Sequence, residues 1–484
     1  MTASPSARSN AARRRSFSRA LAALILLATG LAGAGPKGSP ASAAAGPATA
    51  TARPNVVLIL SDDQRWDTIM PRYMPHVVRT LVPNGITYTN AFVPDPLCCP
   101  SRASTLTGNT SSRTGVWANS GPIGGFKAFI RNGDQNRTIA TDFSAAGYRT
   151  GLVGKFLNGY PQGHWSYVPP GWDSWFATPT GKYYDYEAAR NGHKSHLFGT
   201  APRDYVGRVE TNNAIRFVGG SDGSEKPFFL YLSFTGPHEP AKPDPRDVDR
   251  FGPEWPNGEP PSYEEADVSD KPAWVQRDAA RWPKHRDYFV NLHAHMLDTT
   301  FSIDREVGRL WRALPENTYV LYASDNGELW GEHDRGGKVV PYNESIRVPL
   351  ILAYKGTSSP IARGTTDDRI ALNIDYLPTL EHLAGVPHHG GATEGRDLMT
   401  SARPSFEVSH VGQAVPTYCG LRSRNWLFVK YATGTQELYD EKADPFELTN
   451  LAHDPASATQ LAEMRSHARE LCTAGRHPEP WPFP

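Results

Sequence analysis

The chain has 484 residues with 50 basic and 50 acidic side chains, so its bulk charge gives no pull toward nucleic acid or an anionic membrane. That length exceeds what one compact core usually holds and predicts a large lobe with a smaller partner. Glycine (43) and proline (42) are plentiful without any short period, which excludes collagen and solenoid designs and suggests long ordered loops.

In chain order, a basic run (Arg13, Arg14, Arg15, Arg19) precedes an apolar stretch from Leu21 to about Ala34, the pattern of a targeting segment. Ala41-Ser42-Ala43 is a small-x-small cleavage signal, and Arg14-Arg15-Ser16-Phe17 resembles a twin-arginine export motif; an uncleaved anchor is the alternative. We therefore expect a signal peptide over 1–43, a linker over 44–52, and a product exported to the cell envelope or beyond. No later segment approaches the roughly 18 unbroken apolar residues of a membrane helix, so no span is expected in the mature chain.

Asn55 to Leu60 (NVVLIL) suits a strand covered on both faces, and Ser61, Asp62 and Asp63 follow it directly. Phe228 to Phe234 (FFLYLSF) ends in Thr235-Gly236-Pro237-His238, and Thr318 to Ala323 (TYVLYA) ends in Ser324-Asp325-Asn326-Gly327. Three buried strands thus break at polar clusters, and ligands bind at the carboxyl ends of strands in open α/β sheets. Ile303, Val307, Leu310, Trp311 and Leu314 recur at helical spacing, so strands alternate with helices and the sheet should be mostly parallel. A further strand is expected at Arg347 to Ala353, and a helix at Ile374 to Gly385 closed by its glycine. Past residue 395 the texture changes. Asn425 to Tyr431 and Gln436 to Tyr439 flank an expected hairpin turn, and Ala456 to Leu471 reads as a helix, giving a large lobe over 53–395 and a small antiparallel lobe over 396–484.

Four cysteines, Cys98, Cys99, Cys419 and Cys472, are too few for a disulfide scaffold. Cys419 and Cys472 could pair in an exported protein, and the sequence leaves that open. Asp62-Asp63 and Asp325-Asn326 supply hard oxygen donors that favour calcium or magnesium over zinc. Any one such pair alone reads more simply as a loop or helix cap. Two pairs after two buried strands favour the metal.

Cys98-Cys99-Pro100-Ser101-Arg102, continuing to Leu106-Thr107-Gly108, resembles the signature of the formylglycine-dependent (type I) sulfatases, and every defining position matches. The plain alternative is a buried structural cysteine. The resemblance implies an alkaline phosphatase-like α/β fold, with a large mostly parallel sheet flanked by helices and a smaller C-terminal antiparallel sheet. It implies that 53–395 is catalytic and that Cys98 is converted to 3-oxoalanine (formylglycine) by a formylglycine-generating enzyme. Oxygen chemistry supports that conversion, since a soft thiolate is a poor companion for calcium. In that family one hydroxyl of the hydrated aldehyde attacks sulfur and the second is deprotonated to expel sulfate. The same resemblance makes Asp62, Asp63, Asp325 and Asn326, with position 98, the set holding Ca2+ or Mg2+. It makes Arg102, Lys155, His238 and Lys338 the groups around the sulfate, although each lysine or histidine taken alone reads as a solvated side chain.

Gly154-Lys155-Phe156-Leu157-Asn158-Gly159-Tyr160, Tyr167-Val168-Pro169-Pro170-Gly171-Trp172 and Gly331-Glu332-His333 are similar to the N-acetylglucosamine-6-sulfatase and heparan endosulfatase branch. Arylsulfatases carry a histidine where this chain has Leu157, so the base for the second hydroxyl is open; Asn158 is at most a minor contact. The implied substrate is N-acetylglucosamine 6-sulfate or a related sulfated sugar, with aryl sulfates as an alternative. Long basic inserts of the endosulfatases are absent, favouring an exo-acting or small-substrate enzyme. The rivals are a phosphate or phosphonate ester hydrolase of the same superfamily and, if Cys98 is unmodified, a sulfated-glycan-binding protein.

Overall fold

The computed structural model describes residues 52–220, 226–412 and 415–483. The expected signal peptide and all but the last residue of the expected linker lie outside the described residues.

The large sheet is built from β1 (Asn55–Asp62), β2 (Gly85–Phe92), β3 (Arg149–Lys155), β4 (Ser174–Thr178), β5 (Ala189–Arg190), β6 (His193–Lys194), β7 (Phe228–Pro237), β8 (Thr318–Ser324), β11 (Leu350–Lys355) and β12 (Thr365–Leu372). The short β9 (Leu329–Trp330) and β10 (Gly336–Gly337) pair separately as an antiparallel ribbon. The spatial order is β12-β2-β11-β8-β1-β7-β3-β4-β5-β6. β8, β1, β7, β3 and β4 run parallel, β11 opposes both its neighbours, and β5 and β6 close one edge antiparallel. The expected mostly parallel α/β sheet is present.

Side chains alternate across a strand, and β1 is apolar on both faces because both are covered. Val56, Leu58 and Leu60 enter one core, and Val57 and Ile59 enter the other. Both cores continue onto helices, the longest being Trp282–Ala313, which buries Ile303, Val307 and Leu310. Its first two turns are mostly exposed and polar, so only its second half carried a readable apolar stripe. The strand expected from Arg347 pairs regularly only from Leu350, because Pro349 has no N–H to give a ladder. The helix expected from Ile374 opens as a short 3-10 turn, Asn373–Asp375, and continues as Tyr376–Ala384, ended by Gly385 in the left-handed region (φ 62°).

The C-terminal sheet contains β13 (Ser405–His410), β14 (Tyr418–Ser423), β15 (Trp426–Tyr431) and β16 (Gln436–Asp440), antiparallel in sequence order. Leu421, Phe428 and Leu438 pack on the helix Ala458–Cys472, whereas Val408, Leu427 and Tyr431 face Phe92, Tyr342 and Ile370 of the larger layer. A disulfide joins Cys419 of β14 to Cys472 at the end of that helix, so the pairing left open by the sequence is made.

Parallel strands end at one edge. Asp62, Lys155, Pro237 and Ser324 close β1, β3, β7 and β8 there.

Candidate active site

Asp62 is the last residue of β1, and Asp63 turns sharply away with φ 65°, an orientation an aspartate tolerates better than a branched residue. The turn aims both carboxylates at the end of β8. There the Asp63 N–H donates to Asp325 Oδ1 at 3.1 Å, and Asn326 Nδ2 donates to Asp63 Oδ1 at 2.7 Å. Carboxylate oxygens of Asp62, Asp63 and Asp325 lie within 4.8 Å of one another, and all three residues are buried.

Cys98 opens the helix Cys98–Thr107, all of whose residues are buried. Arg102 stands one turn later on the same face, at i+4. Its guanidinium donates from Nε to Asp325 Oδ2 at 2.8 Å and from a terminal nitrogen to Ser233 Oγ at 2.6 Å, and another terminal nitrogen lies 3.5 Å from Asp62 Oδ1. A fully buried arginine is tolerable only when its charge is met, and two aspartates meet it. Lys155, at the end of β3, reaches Asp62 Oδ2 at 2.5 Å. Lys338 donates to Asp63 Oδ1 and stands 3.2 Å from Cys98 Sγ. His238, one residue past β7, puts Nε2 3.8 Å from Asp63 Oδ2. Its Nδ1 faces the Glu239 carbonyl at 2.6 Å; a carbonyl only accepts, so Nδ1 carries the hydrogen and Nε2 faces the cluster. Cys98 Sγ lies 3.9 Å from Asp62 Oδ1.

All nine residues singled out in the sequence therefore converge: Asp62, Asp63, Cys98, Arg102, Lys155, His238, Asp325, Asn326 and Lys338. Asn158 does not join them, since its backbone N–H and its side chain meet Cys99 at 3.0 and 3.4 Å. Leu157 is buried in the hydrophobic core.

Burial raises the Asp62 carboxyl, but Lys155, His238 and Arg102 outweigh it and hold it below the usual range; Lys338 and His238 do the same for Asp63. Burial prevails at Asp325, which is raised. The two cysteines move apart. Burial raises the Cys98 thiol, yet Lys155 and Lys338 bring it below its ordinary value, whereas burial and the neighbouring Cys98 push Cys99 up to about 12. Burial depresses the His238 imidazole, and Asp62 and Asp63 more than reverse this, to about 9.

Whether these residues fit a hard cation can be judged from the donors. Three buried carboxylates converge, and Asn326 Oδ1, buried beside them, has no hydrogen-bond partner. Oxygen donors of this kind, with a neutral amide among them, suit calcium or magnesium.

Sequence reasoning passed over three neighbours. Ser233, which anchors Arg102, is the one small polar residue in the apolar run FFLYL-S-F, and that interruption was the available signal. Glu328 sits two residues beyond Asn326 and is held well above the usual range by burial and Asp63; its spacing alone marked it. Asn119, whose Oδ1 accepts from the Cys99 N–H at 2.9 Å, comes from a loop that carried no signal.

Residues 54–386, more than half the chain, match the sulfatase family profile. The chain belongs to the sulfatase family. As a sulfatase it is one of a family of sulfuric ester hydrolases, and residues 331–474 also match the profile for the C-terminal part of N-sulphoglucosamine sulphohydrolase. The sulfatase is similar to an extracellular sulfatase homologue of Drosophila melanogaster, 34% identical over 69% of this chain and only 30% of the fly protein's length. It is also 30% identical to the human N-acetylglucosamine-6-sulfatase over 78% of this chain and 69% of the human protein, which places it close to that branch. A protein solved with its substrate D-glucosamine-2-N,6-O-disulfate shares the fold, with TM-score 0.70 and 24% identity over 86% of this chain and 97% of that one.

Proposed function

We propose that this sulfatase hydrolyses the 6-O-sulfate of N-acetylglucosamine or a closely related sulfated amino sugar, using Cys98 oxidised to formylglycine beside a calcium-type ion. The observation that carries this reading is the position of Cys98 Sγ, 3.2 Å from Lys338 Nζ and 3.9 Å from Asp62 Oδ1. A nucleophile at residue 98 is thus in reach of both the hard-oxygen cluster and a cation. The similarity to the human N-acetylglucosamine-6-sulfatase supports the amino sugar, as does the fold shared with the protein bound to a glucosamine disulfate.

Asp62, Asp63, Asp325 and Asn326 would hold the ion, which would supply Lewis acidity to a sulfate oxygen and lower the cost of an oxygen nucleophile. The hydrated aldehyde would supply one hydroxyl to attack sulfur and a second to let sulfate leave. Everything else falls to the chain's own side chains. Lys155 and Lys338 hold the equatorial sulfate oxygens by charge-assisted hydrogen bonds, and Arg102, locked to Asp325 and Asp62, keeps the cluster in register. His238 presents Nε2 to the site and gives its proton to the departing sugar oxygen. The ring, then neutral, lies within 4.8 Å of the Cys98 side chain and takes a proton back. It thereby covers the role of the histidine that Leu157 replaces.

Read as an export signal, residues 1–43 support a location outside the cytoplasm, as do the relatives named extracellular, with a formylglycine-generating enzyme acting on Cys98 beforehand. No helix among the described residues is long and apolar enough to cross a membrane.

The decisive experiment measures kcat/KM on 6-O-sulfated N-acetylglucosamine, an aryl sulfate and the matched phosphate ester. One divalent ion with Arg102, Lys155 and Lys338 suits a monoanion, and a phosphate dianion brings a charge these groups leave unmet in a dry pocket. The sulfate esters should win. A preference for phosphate of about 10-fold, or 1.4 kcal/mol in the transition state, would instead make this a phosphohydrolase, and faster aryl than sugar turnover would remove the amino-sugar assignment.

A further inference from the structure

A second set of donors is built from elements that carry none of the residues above. Asp142 lies on the helix Ile139–Ala145, Glu381 on the helix Tyr376–Ala384, and His388 and His389 follow Gly385. Ligand atoms of Asp142, Glu381 and His388 lie within 4.8 Å of one another. His388 Nδ1 stands 3.1 Å from Asp142 Oδ2 and 3.1 Å from Glu381 Oε1. Both acids are buried, Asp142 at 1% exposure and Glu381 at 4%, and no hydrogen bond reaches Asp142 Oδ2.

The tautomer of His388 sharpens the problem. Its Nε2 is 2.7 Å from the Gly391 carbonyl, which only accepts, so Nε2 carries a hydrogen and Nδ1 is the atom turned toward the two carboxyl groups. Two buried carboxyl groups turned on one partly exposed ring nitrogen bring together donor atoms that a cation among them would reconcile.

The separations and the donor types identify the cation. Donors about 2.0 Å from a tetrahedral ion stand about 3.3 Å apart, close to the 3.1 Å found on both sides of His388 Nδ1. An imidazole whose second nitrogen is tied to a backbone carbonyl is the usual setting of a metal-ligating histidine. A nitrogen donor beside two carboxylates suits zinc and is foreign to calcium. His389 Nδ1 lies 3.8 Å from Asp142 Oδ1 on a half-exposed side chain that can turn inward as a fourth donor.

We propose that Asp142, Glu381 and His388, with His389 or a water completing the shell, hold a structural zinc ion that pins the segment after the helix Tyr376–Ala384 to the helix Ile139–Ala145. The site is separate from the sulfate-ester chemistry and does not depend on it.

Tag-free protein dialysed against a chelator, with excess calcium chloride added to occupy the oxygen cluster, is titrated calorimetrically with zinc chloride. One tight equivalent is expected, lost in His388→Ala and in Glu381→Gln, while turnover of an aryl sulfate by both variants stays at the wild-type level. Absence of a tight equivalent in the wild type, or its retention in both variants, overturns the proposal and leaves a proton as the shared cation. Should the variants fail to fold, Co2+ added to the wild type decides. Strong visible absorption from a four-coordinate ion supports the site, and the weak spectrum of a six-coordinate ion or no uptake overturns it.

Discussion

Adjacent cysteines acquire opposite chemistry here because successive residues at a helix start face different neighbours. Cys98 looks at Lys338, Lys155 and Asp62, while Cys99 looks at Asn158 in an apolar setting. Only the first is placed among charges that would stabilise an anion or an oxygen nucleophile. Cys98→Ser should therefore lose at least about 100-fold in multiple turnover, about 2.7 kcal/mol of transition-state stabilisation. Serine can attack but has no second hydroxyl with which to release sulfate. Cys99→Ser should keep most of the rate. Steady-state kinetics on both variants, with intact-mass measurement at residue 98 in the wild type, checks this. Equal losses in the two would remove Cys98 from its role. The signature around Cys98 was legible without a structure, because eight positions of a local motif carry it, whereas Ser233 and Asn119 reach the same helix from other elements and left almost no trace in the sequence.

At the scale of elements, the C-terminal sheet carries a titratable core. Glu437 on β16 is fully buried and accepts hydroxyl hydrogen bonds from Tyr431 at 3.0 Å and Tyr439 at 2.9 Å. Burial raises its carboxyl from 4.5 to about 7, above its value in the unfolded chain. Between those two values the folded state binds more protons than the unfolded one, so the contribution to stability is present in acid and is lost as pH rises from 4.5 through 7. The rise corresponds to roughly 3 to 4 kcal/mol, at about 1.4 kcal/mol per pH unit. Glu437→Gln should flatten that part of the profile and be more stable than the wild type at pH 8, by denaturant unfolding at pH 5 and 8. Unchanged pH dependence in the variant would show that the carboxyl stays ionised in the fold. The sheet itself was readable from its hairpin pattern, but the burial of Glu437 was not, since an acid in the run QELYD looks like an ordinary outward-facing position.

For the whole molecule, the hard-oxygen cluster joins the ends of β1 and β8, so an ion there should tie the sheet together as well as serve catalysis. A ligand present at about 100 times its dissociation constant adds about 2.7 kcal/mol to the stability of the folded state. Chelation should accordingly lower the melting temperature and abolish turnover, and calcium or magnesium should restore turnover together with the part of the melting temperature that the oxygen cluster supplies. Recovery with zinc but not with calcium or magnesium would contradict the oxygen site. Asp325→Ala should lose turnover in the same way, and added calcium should not restore it.

Strand and helix periods are local, so the amino-acid order by itself determined the apolar runs at β1, β7 and β8, the polar clusters that end them, and hard-oxygen donor chemistry at Asp62, Asp63, Asp325 and Asn326. Which strand lies beside which is decided by crossover connections and long-range packing, terms that leave no local pattern. Only the tertiary structure could set β7 between β1 and β3, join Cys419 to Cys472, and bring Asp142 and Glu381 to His388. Each residue of such a pair satisfies its own helix or strand equally well without the other, and it is burial of both in one place that makes their charges and sulfurs meet.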